Sequence, residues 1–129
     1  MPMIDVYAAE GTSETRQVFW IAFVITAASA LTSLFFAVIG VLGDGAGDPY
    51  ALYALSRSVA LAVAVLALGR LRSRPALILL ALTMSLVQGL DALIGLTLGD
   101  VLKTLGPAVL AVATSTSAVA LARRSPEPD

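Results

Sequence analysis

The sequence of 129 residues contains no cysteine and no histidine. Without cysteine the chain can form no disulfide, thiolate metal site or thiol nucleophile, and its redox compartment cannot be read from the sequence. Without histidine it also lacks the side chain that most often binds metals and titrates near neutral pH. We therefore expect no metal site and no cofactor.

Charged side chains are scarce as well, at 13% of the chain, with eight basic and nine acidic residues. This balance offers no basic surface for nucleic acid, which we exclude as a partner. The chain is instead 58% hydrophobic, with a mean hydropathy of +0.91, far above that of an ordinary soluble domain. Composition therefore indicates one integral membrane domain, residues 1–129, whose main partner is the lipid bilayer.

Four apolar runs are each long enough to cross a membrane, because ~30 Å of hydrocarbon requires about 20 helical residues. Glycine and proline in 43–49, arginine in 70–74 and the turn Gly99-Asp100 separate these runs. Thr12 or Ser13 is a possible cap of the first helix. We predict spans at about 17–42, 50–69, 75–98 and 103–122, with polar ends at 1–16 and 123–129. The sequence thus predicts an all-α, up-down-up-down four-helix bundle.

Lysine and arginine are unevenly distributed between the predicted loops, and cytoplasmic loops normally carry the excess. If the N-terminus is inside, one lysine, Lys103, lies on the outer side. The inner side then carries Arg16, Arg70, Arg72, Arg74, Arg123 and Arg124. We therefore predict a multi-pass protein of the cell (inner) membrane with both termini in the cytoplasm.

Small and weakly polar residues recur at three- and four-residue spacing in every predicted span. Helices in lipid associate through such residues, so we expect these four seams to face inward. The expected inward positions are Ala22, Thr26, Ser29, Ser33, Ala37 and Gly40; Tyr50, Tyr53, Arg57, Ala60, Ala64 and Ala67; Ala81, Ser85, Gln88, Ala92, Gly95 and Gly99; and Thr104, Ala108, Ala111, Ser115, Ala118 and Ala122.

Two opposite charges lie inside apolar runs, Arg57 in the second and Asp91 in the third. Ionisable groups in hydrocarbon are rare and need a partner. Arg57 follows Tyr50 by seven residues and Asp91 precedes Gly99 by eight, which places the two charges roughly 10 and 12 Å below the same outer surface. Spans two and three should be antiparallel neighbours. We therefore predict an Arg57–Asp91 ion pair in the outer half of the bundle.

Around this pair we expect an outward-facing polar pocket. Its predicted members are Tyr53, Ser56, Arg57, Gln88 and Asp91, with Lys103 at the rim. Arg57 and Asp91 are the candidate catalytic residues, and the other four are candidates for binding substrate. Each residue also has a plainer interpretation. Arg57 and Asp91 could form a static ion pair, and Gln88 an interhelical hydrogen bond. Tyr53 could be an interfacial aromatic, and Lys103 could extend to the surface.

The leading functional interpretation is a site that binds a lipophilic small molecule. Whether the chain is also an enzyme stays open; Asp91 would then be the general base or nucleophile. A second interpretation is a proton-linked transporter, which requires a homodimer because four helices are too few to enclose a conduit. The third is a structural or accessory subunit in which the ion pair only holds the bundle.

In length, cytoplasmic ends and polar residues within the spans, the sequence resembles small four-span bacterial membrane proteins, the DoxX-like and related families. The resemblance covers the four spans and is carried by this architecture and by Gln88-Gly89-Leu90-Asp91-Ala92. It implies a four-helix bundle, and no catalytic residue is transferred from it. The small multidrug exporters are a poorer match, because span one lacks their membrane-embedded glutamate.

Overall fold

The computed structural model describes the backbone of residues 2–43 and 46–124 and the side chains from Glu14 onward within them. Four helices account for nearly all of these residues: α1, Pro2–Leu42; α2, Pro49–Leu71; α3, Arg74–Thr97; and α4, Val101–Arg123. No strand occurs in the described part of the chain. The predicted all-α four-helix bundle is confirmed.

All four helices are long and apolar enough to cross a membrane, α1 from Glu14 to its end at Leu42 and the others over their whole length. Large apolar side chains such as Val24, Phe35 and Leu79 are exposed on the outside of the bundle. A soluble protein rarely exposes so much apolar surface, whereas lipid covers it at no cost. The distribution is that of a multi-pass membrane protein.

Aspartate side chains begin α2 and α4 by capping their N-termini. Asp48 Oδ1 accepts a hydrogen bond from the N–H of Tyr50 at 3.0 Å, and Asp100 Oδ1 accepts one from the N–H of Lys103 at 3.1 Å. Gly99, whose φ of 68° suits glycine, turns the chain from α3 into α4. These local signals explain why the predicted helix breaks fall where they do.

The start of α1 differs from the prediction. The helix begins at Pro2 and continues through Thr12 and Ser13, the positions predicted as its cap. The polar segment 2–16 is therefore an extension of the first helix. No proline interrupts the chain between Pro2 and the apolar run, so nothing in the sequence forces the helix to end there.

Arginine contacts gather at one end of the bundle. Arg124 Nη1 lies 2.8 Å from Glu14 Oε2, and the guanidinium of Arg72 lies 5.8 Å from the centroid of the Trp20 ring. These contacts bring the ends of α2 and α4 beside the first part of the α1 span, so successive helices are antiparallel. We call this the arginine end. The opposite end, where α1 connects to α2 and α3 to α4, is the turn end.

Arg74, the first residue of α3, joins the start of its helix to the end of α4. Its Nη2 donates to the carbonyl of Leu121 at 2.6 Å and to the carbonyl of Arg124. The last carbonyls of a helix lack intrahelical partners and carry partial negative charge, so a guanidinium stabilises them. Arg74 thereby closes the arginine end of the α3–α4 pair.

The four helices pack unequally. α3 packs most extensively against α4 and α1 packs most extensively against α2, whereas α2 and α3 have the least contact of the touching pairs. Spans two and three were predicted to be neighbours. They do touch, but theirs is the loosest helix contact in the bundle. The connection of two residues between Leu71 and Arg74 joins these helices at the arginine end.

The inward seams were predicted well for two helices. Ala22, Thr26 and Ser29 of α1 are buried, and so are Ala81, Gln88, Ala92 and Gly95 of α3. In α4 the prediction holds for Ala118, while Thr114, Ser117 and Leu121 are the other buried positions.

For α2 the predicted inward face is wrong. The buried residues are Ser58, Ala62, Val65 and Leu68, whereas Tyr50 and Tyr53 are 82% and 74% exposed. Alanines occur on every side of this helix, so their spacing does not select one face. The tyrosines face outward, where their amphipathic rings suit a membrane interface.

Helices α3 and α4 approach each other closely at Gly95. A Cβ built on this residue would lie 2.8 Å from the backbone nitrogen of Thr104 and closer still to the carbonyl of Lys103. Pro107 has no N–H to offer that carbonyl four residues earlier in α4. The carbonyl of Lys103 is thus available to face α3, where only glycine leaves room for it.

Candidate functional site

Arg57 of α2 and Asp91 of α3 meet across the loosest helix contact. Arg57 Nη2 lies 3.2 Å from Asp91 Oδ1 and 3.4 Å from Oδ2. Their side chains are 46% and 25% exposed in the isolated chain. Counted from Pro49 and Thr97, the turn-end limits of α2 and α3, the two residues lie ~12 and ~9 Å along their helices. The structure thus brings together the two charges that sequence depth placed at one level.

Only one nitrogen of Arg57 makes this contact. Among the side-chain hydrogen bonds of residues 14–43 and 46–124, Nη2 is the guanidinium atom of Arg57 that donates, and both of its acceptors belong to Asp91. A guanidinium carries five N–H donors. Several donors of Arg57 are therefore free to bind a further acceptor.

Gln88 lies one turn of α3 nearer the arginine end than Asp91 and is 2% exposed. Its Nε2 donates to Ser33 Oγ at 2.8 Å, to Ser29 Oγ at 3.1 Å and to the Ser29 carbonyl at 3.3 Å. All of these acceptors belong to α1. The geometry favours the plainer interpretation of Gln88, an interhelical hydrogen bond, over a ligand-binding amide.

A cavity of about 390 Å³ lies on the turn-end side of Gln88, and all four helices line it. Its charged and polar lining consists of Thr32, Ser33, Arg57, Ser58, Gln88, Asp91 and Lys103. Most of the remaining wall is apolar, with Phe36 from α1, Ile94 from α3 and Leu110 from α4. Sites for small molecules typically have this size and this combination of apolar walls with a few polar groups.

Four of the six predicted site residues line this cavity: Arg57, Gln88, Asp91 and Lys103. Tyr53 and Ser56 do not, and both side chains are exposed on the outside of α2. This helix instead presents Ala54, Arg57 and Ser58 to the cavity. The four-residue spacing between Tyr53 and Arg57 was taken as evidence that both face inward. Arg57 does line the cavity, but Tyr53 lies on the outer side of α2.

Sequence reasoning also missed the contribution of α1 and most of that of α4. Thr32 and Ser33 line the cavity from α1, and Gly106 and Pro107 line it from α4. Ser33 was assigned to an inward seam but not to the pocket. The sequence signal at Gly106-Pro107, a glycine and a proline inside an apolar helix, could have indicated an irregular wall at this level.

Lys103 lies at the rim of the cavity in the first turn of α4. Its Nζ is 3.6 Å from Asp100 Oδ2, and both side chains are substantially exposed. The hydrogen bond from the backbone N–H of Lys103 lowers the pKa of Asp100 below its usual value, because it stabilises the carboxylate. Asp100 therefore stays ionised as the helix cap and holds the ammonium of Lys103 only loosely.

The hydroxyl run from Thr114 to Ser117 lies outside the cavity lining. Ser115 Oγ donates to the carbonyl of Val112 at 3.1 Å, and Ser117 Oγ donates to that of Thr114 at 2.8 Å. Hydroxyls in membrane helices commonly bond to their own backbone in this way. These contacts favour a packing role over a path for transported molecules.

The site holds no set of ligands suited to a metal ion: within the described residues there is no group of three or more acidic side chains that could form one. Comparison of the chain with protein-family models, with curated proteins and with solved structures gives no match. The resemblance to DoxX-like proteins therefore stays a prediction. The function has to be inferred from the cavity and the residues around it.

Proposed function

We propose that this multi-pass protein binds a lipophilic small molecule in the cavity beside Arg57 and Asp91. We place it in the bacterial inner membrane by its resemblance to small four-span bacterial proteins, and we orient the arginine end toward the cytoplasm by the distribution of basic residues. The observation that carries the proposal is the cavity itself, about 390 Å³ bounded by all four helices. Its apolar walls suit a lipophile, and the ion pair supplies polar contacts at a fixed depth.

The position of the ion pair supports a site more than a structural lock. A pair that only fixed the packing would be expected where two helices are closely packed. Arg57 and Asp91 instead bridge α2 and α3, the pair with the least contact, and both line the cavity. Intramembrane charges that border a cavity commonly mark a ligand or ion path.

Conversion of the ligand is not required by this proposal. Asp91 is the one carboxylate among the described residues that line the cavity. Any general-base or nucleophilic step at this site would therefore depend on Asp91, with Arg57 as the group that orients it.

The transporter alternative is less well supported for a single chain. On the arginine-end side of Gln88 the bundle is closed by a buried apolar cluster of Ala30, Val65 and Met84. The hydrogen bonds from Gln88 to α1 lie directly above this cluster. A substrate that entered from the turn end would thus meet a packed floor, so transport would require the predicted homodimer to provide another route.

Filling the cavity tests the proposal. A Cβ on Gly106 meets no heavy atom within 4 Å, and Gly106 lines the cavity, so Gly106→Leu should occupy the space that a ligand needs. We expect a photoreactive tetradecanol in phosphatidylcholine nanodiscs to crosslink to cavity residues of the parent. Mass spectrometry should show those crosslinks reduced about tenfold or more in Gly106→Leu, equivalent to a loss of ~1.4 kcal/mol in binding.

Gly89→Leu is the matched control. Gly89 also has no heavy atom within 4 Å of a built Cβ, but it faces a groove between α3 and α4 and does not line the cavity. The control should leave the cavity crosslinks unchanged. Crosslinks confined to the lipid-facing surface, or equal in the parent and Gly106→Leu, would contradict the proposal.

A further inference from the structure

The charges that line the cavity do not balance. Arg57 and Lys103 are cations and Asp91 is the one anion among the described lining residues, so the lining carries one excess positive charge. Asp100, whose carboxylate lies 3.6 Å from Lys103 Nζ, is not part of the lining. Within the lining itself, Lys103 therefore has no carboxylate of its own.

Both cations retain unused donors. Arg57 binds Asp91 through Nη2. Lys103 Nζ lies 3.6 Å from Asp100 Oδ2, which is longer than an ordinary hydrogen bond. A ligand anion could accept hydrogen bonds from both cations, and such charge-assisted bonds are stronger than those to neutral groups.

The apolar wall indicates what the rest of the ligand is like. Ile39 of α1, Leu98 at the end of α3 and Leu102 of α4 line the part of the cavity nearest the turn end. Phe36 and Leu110 continue this wall deeper into the bundle. An alkyl chain would contact these side chains over its length while its headgroup remained within reach of the two cations.

We infer that the ligand is an anionic amphiphile, with its headgroup bound by Lys103 and the free N–H groups of Arg57 and its alkyl chain against the apolar wall. This inference rests on the proposed function and narrows it to one ligand class. A carboxylate and a phosphate monoester share the required chemistry. A neutral amphiphile would accept weaker hydrogen bonds from these donors than an anion does, and a cationic one would be repelled by Arg57 and Lys103.

The test is competition against the photoreactive tetradecanol in uncharged phosphatidylcholine nanodiscs. The competitors are myristate, tetradecyl phosphate, tetradecanol and tetradecyltrimethylammonium, which share one chain length and differ in headgroup. We expect at least one of the two anions to displace the cavity crosslink at about tenfold lower content in the nanodisc than tetradecanol. The more effective anion identifies a fatty-acid or a phosphate headgroup as the source.

Variants of Lys103 assign the preference to the cavity. In Lys103→Met the anions should displace the crosslink at about the same content as tetradecanol. Lys103→Arg should retain the preference for anions. Arg70→Met is the matched control, because it removes one positive charge at the arginine end, away from the cavity. It should leave the preference for anions unchanged.

Each outcome decides a different part of the account. The anionic class is overturned if tetradecanol or the cationic amphiphile competes as well as both anions, or if Lys103→Met keeps the anion preference. In those cases the cavity crosslink remains and lipophile binding stands. If the parent gives no cavity crosslink, the proposed function and this inference fail together.

Discussion

Replacing Gly95 by alanine is expected to destabilise the bundle by about 3 kcal/mol, the upper end of the usual cost of overpacking. The added Cβ would lie 2.8 Å from the backbone nitrogen of Thr104 and closer to the carbonyl of Lys103. Both are backbone atoms of α4, so no side-chain rotation relieves the clash. Since α3 and α4 are the most extensively packed pair, forcing them apart weakens the largest interface of the fold.

The control for this effect lies on the same helix. A Cβ on Gly89 meets no heavy atom within 4 Å, so Gly89→Ala should be neutral or stabilising by up to about 1 kcal/mol, because alanine is the better helix former. The free energy of unfolding is measured for both variants by titration with dodecyl sulfate in one detergent. Equal stabilities of the two variants would show that α3 and α4 do not approach closely at Gly95.

Removing one side of the Arg57–Asp91 pair is expected to cost about 3 kcal/mol, while removing both sides should cost less than about 1 kcal/mol. Asp91→Leu or Arg57→Leu leaves a charge without a partner beside apolar walls. The double leucine variant leaves none. The side chains are 46% and 25% exposed, so we place the single variants at the lower end of the range for buried pairs.

A second ion pair supplies the comparison. Arg124 and Glu14 lie 2.8 Å apart at the arginine end, with side chains 44% and 65% exposed. Leucine variants at these two positions should each change the unfolding free energy by less than about 1 kcal/mol, as expected for an exposed pair. If instead the double variant of Arg57 and Asp91 fails to fold, that pair is an architectural lock, and the site proposed on it must be withdrawn.

The fold could be predicted because its determinants are local. Apolar runs of sufficient length, the aspartate caps and the glycine and proline breaks each act within a few residues. The start of α1 could not be predicted in this way. After Pro2 the segment before Arg16 contains no further proline that would end a helix, and hydropathy marks where the apolar run begins rather than where the helix does.

The site was predictable in depth but not in rotation. Depth follows from the fixed rise of a helix, which placed Arg57 and Asp91 at one level; in the structure their side chains lie 3.2 Å apart. The rotation of α2 depends on which of its alanine faces meets α1, and nothing in the alanine spacing decides that. Tyr53 and Ser56 were therefore assigned to the pocket although they face outward.

The distances between helices were beyond sequence reasoning as well. That α2 and α3 have the least contact of the touching pairs, while α3 and α4 meet at Gly95, results from the packing of all four helices together. The cavity is the space left by that packing. Thr32 and Ser33 of α1 line the cavity because of the same packing. No pattern in the sequence around them indicates that they do so.

The most direct test of the central claim is an experimental structure of the chain, purified from its membrane and determined in a lipid nanodisc. The account predicts an elongated density in the cavity between α2 and α3, with its polar end beside Arg57, Asp91 or Lys103. A dry cavity, collapsed so that alanines of α2 pack against α3 around a static ion pair, would contradict it and favour a structural or accessory subunit. A two-fold dimer with Asp91 lining a shared cavity would contradict it in favour of transport.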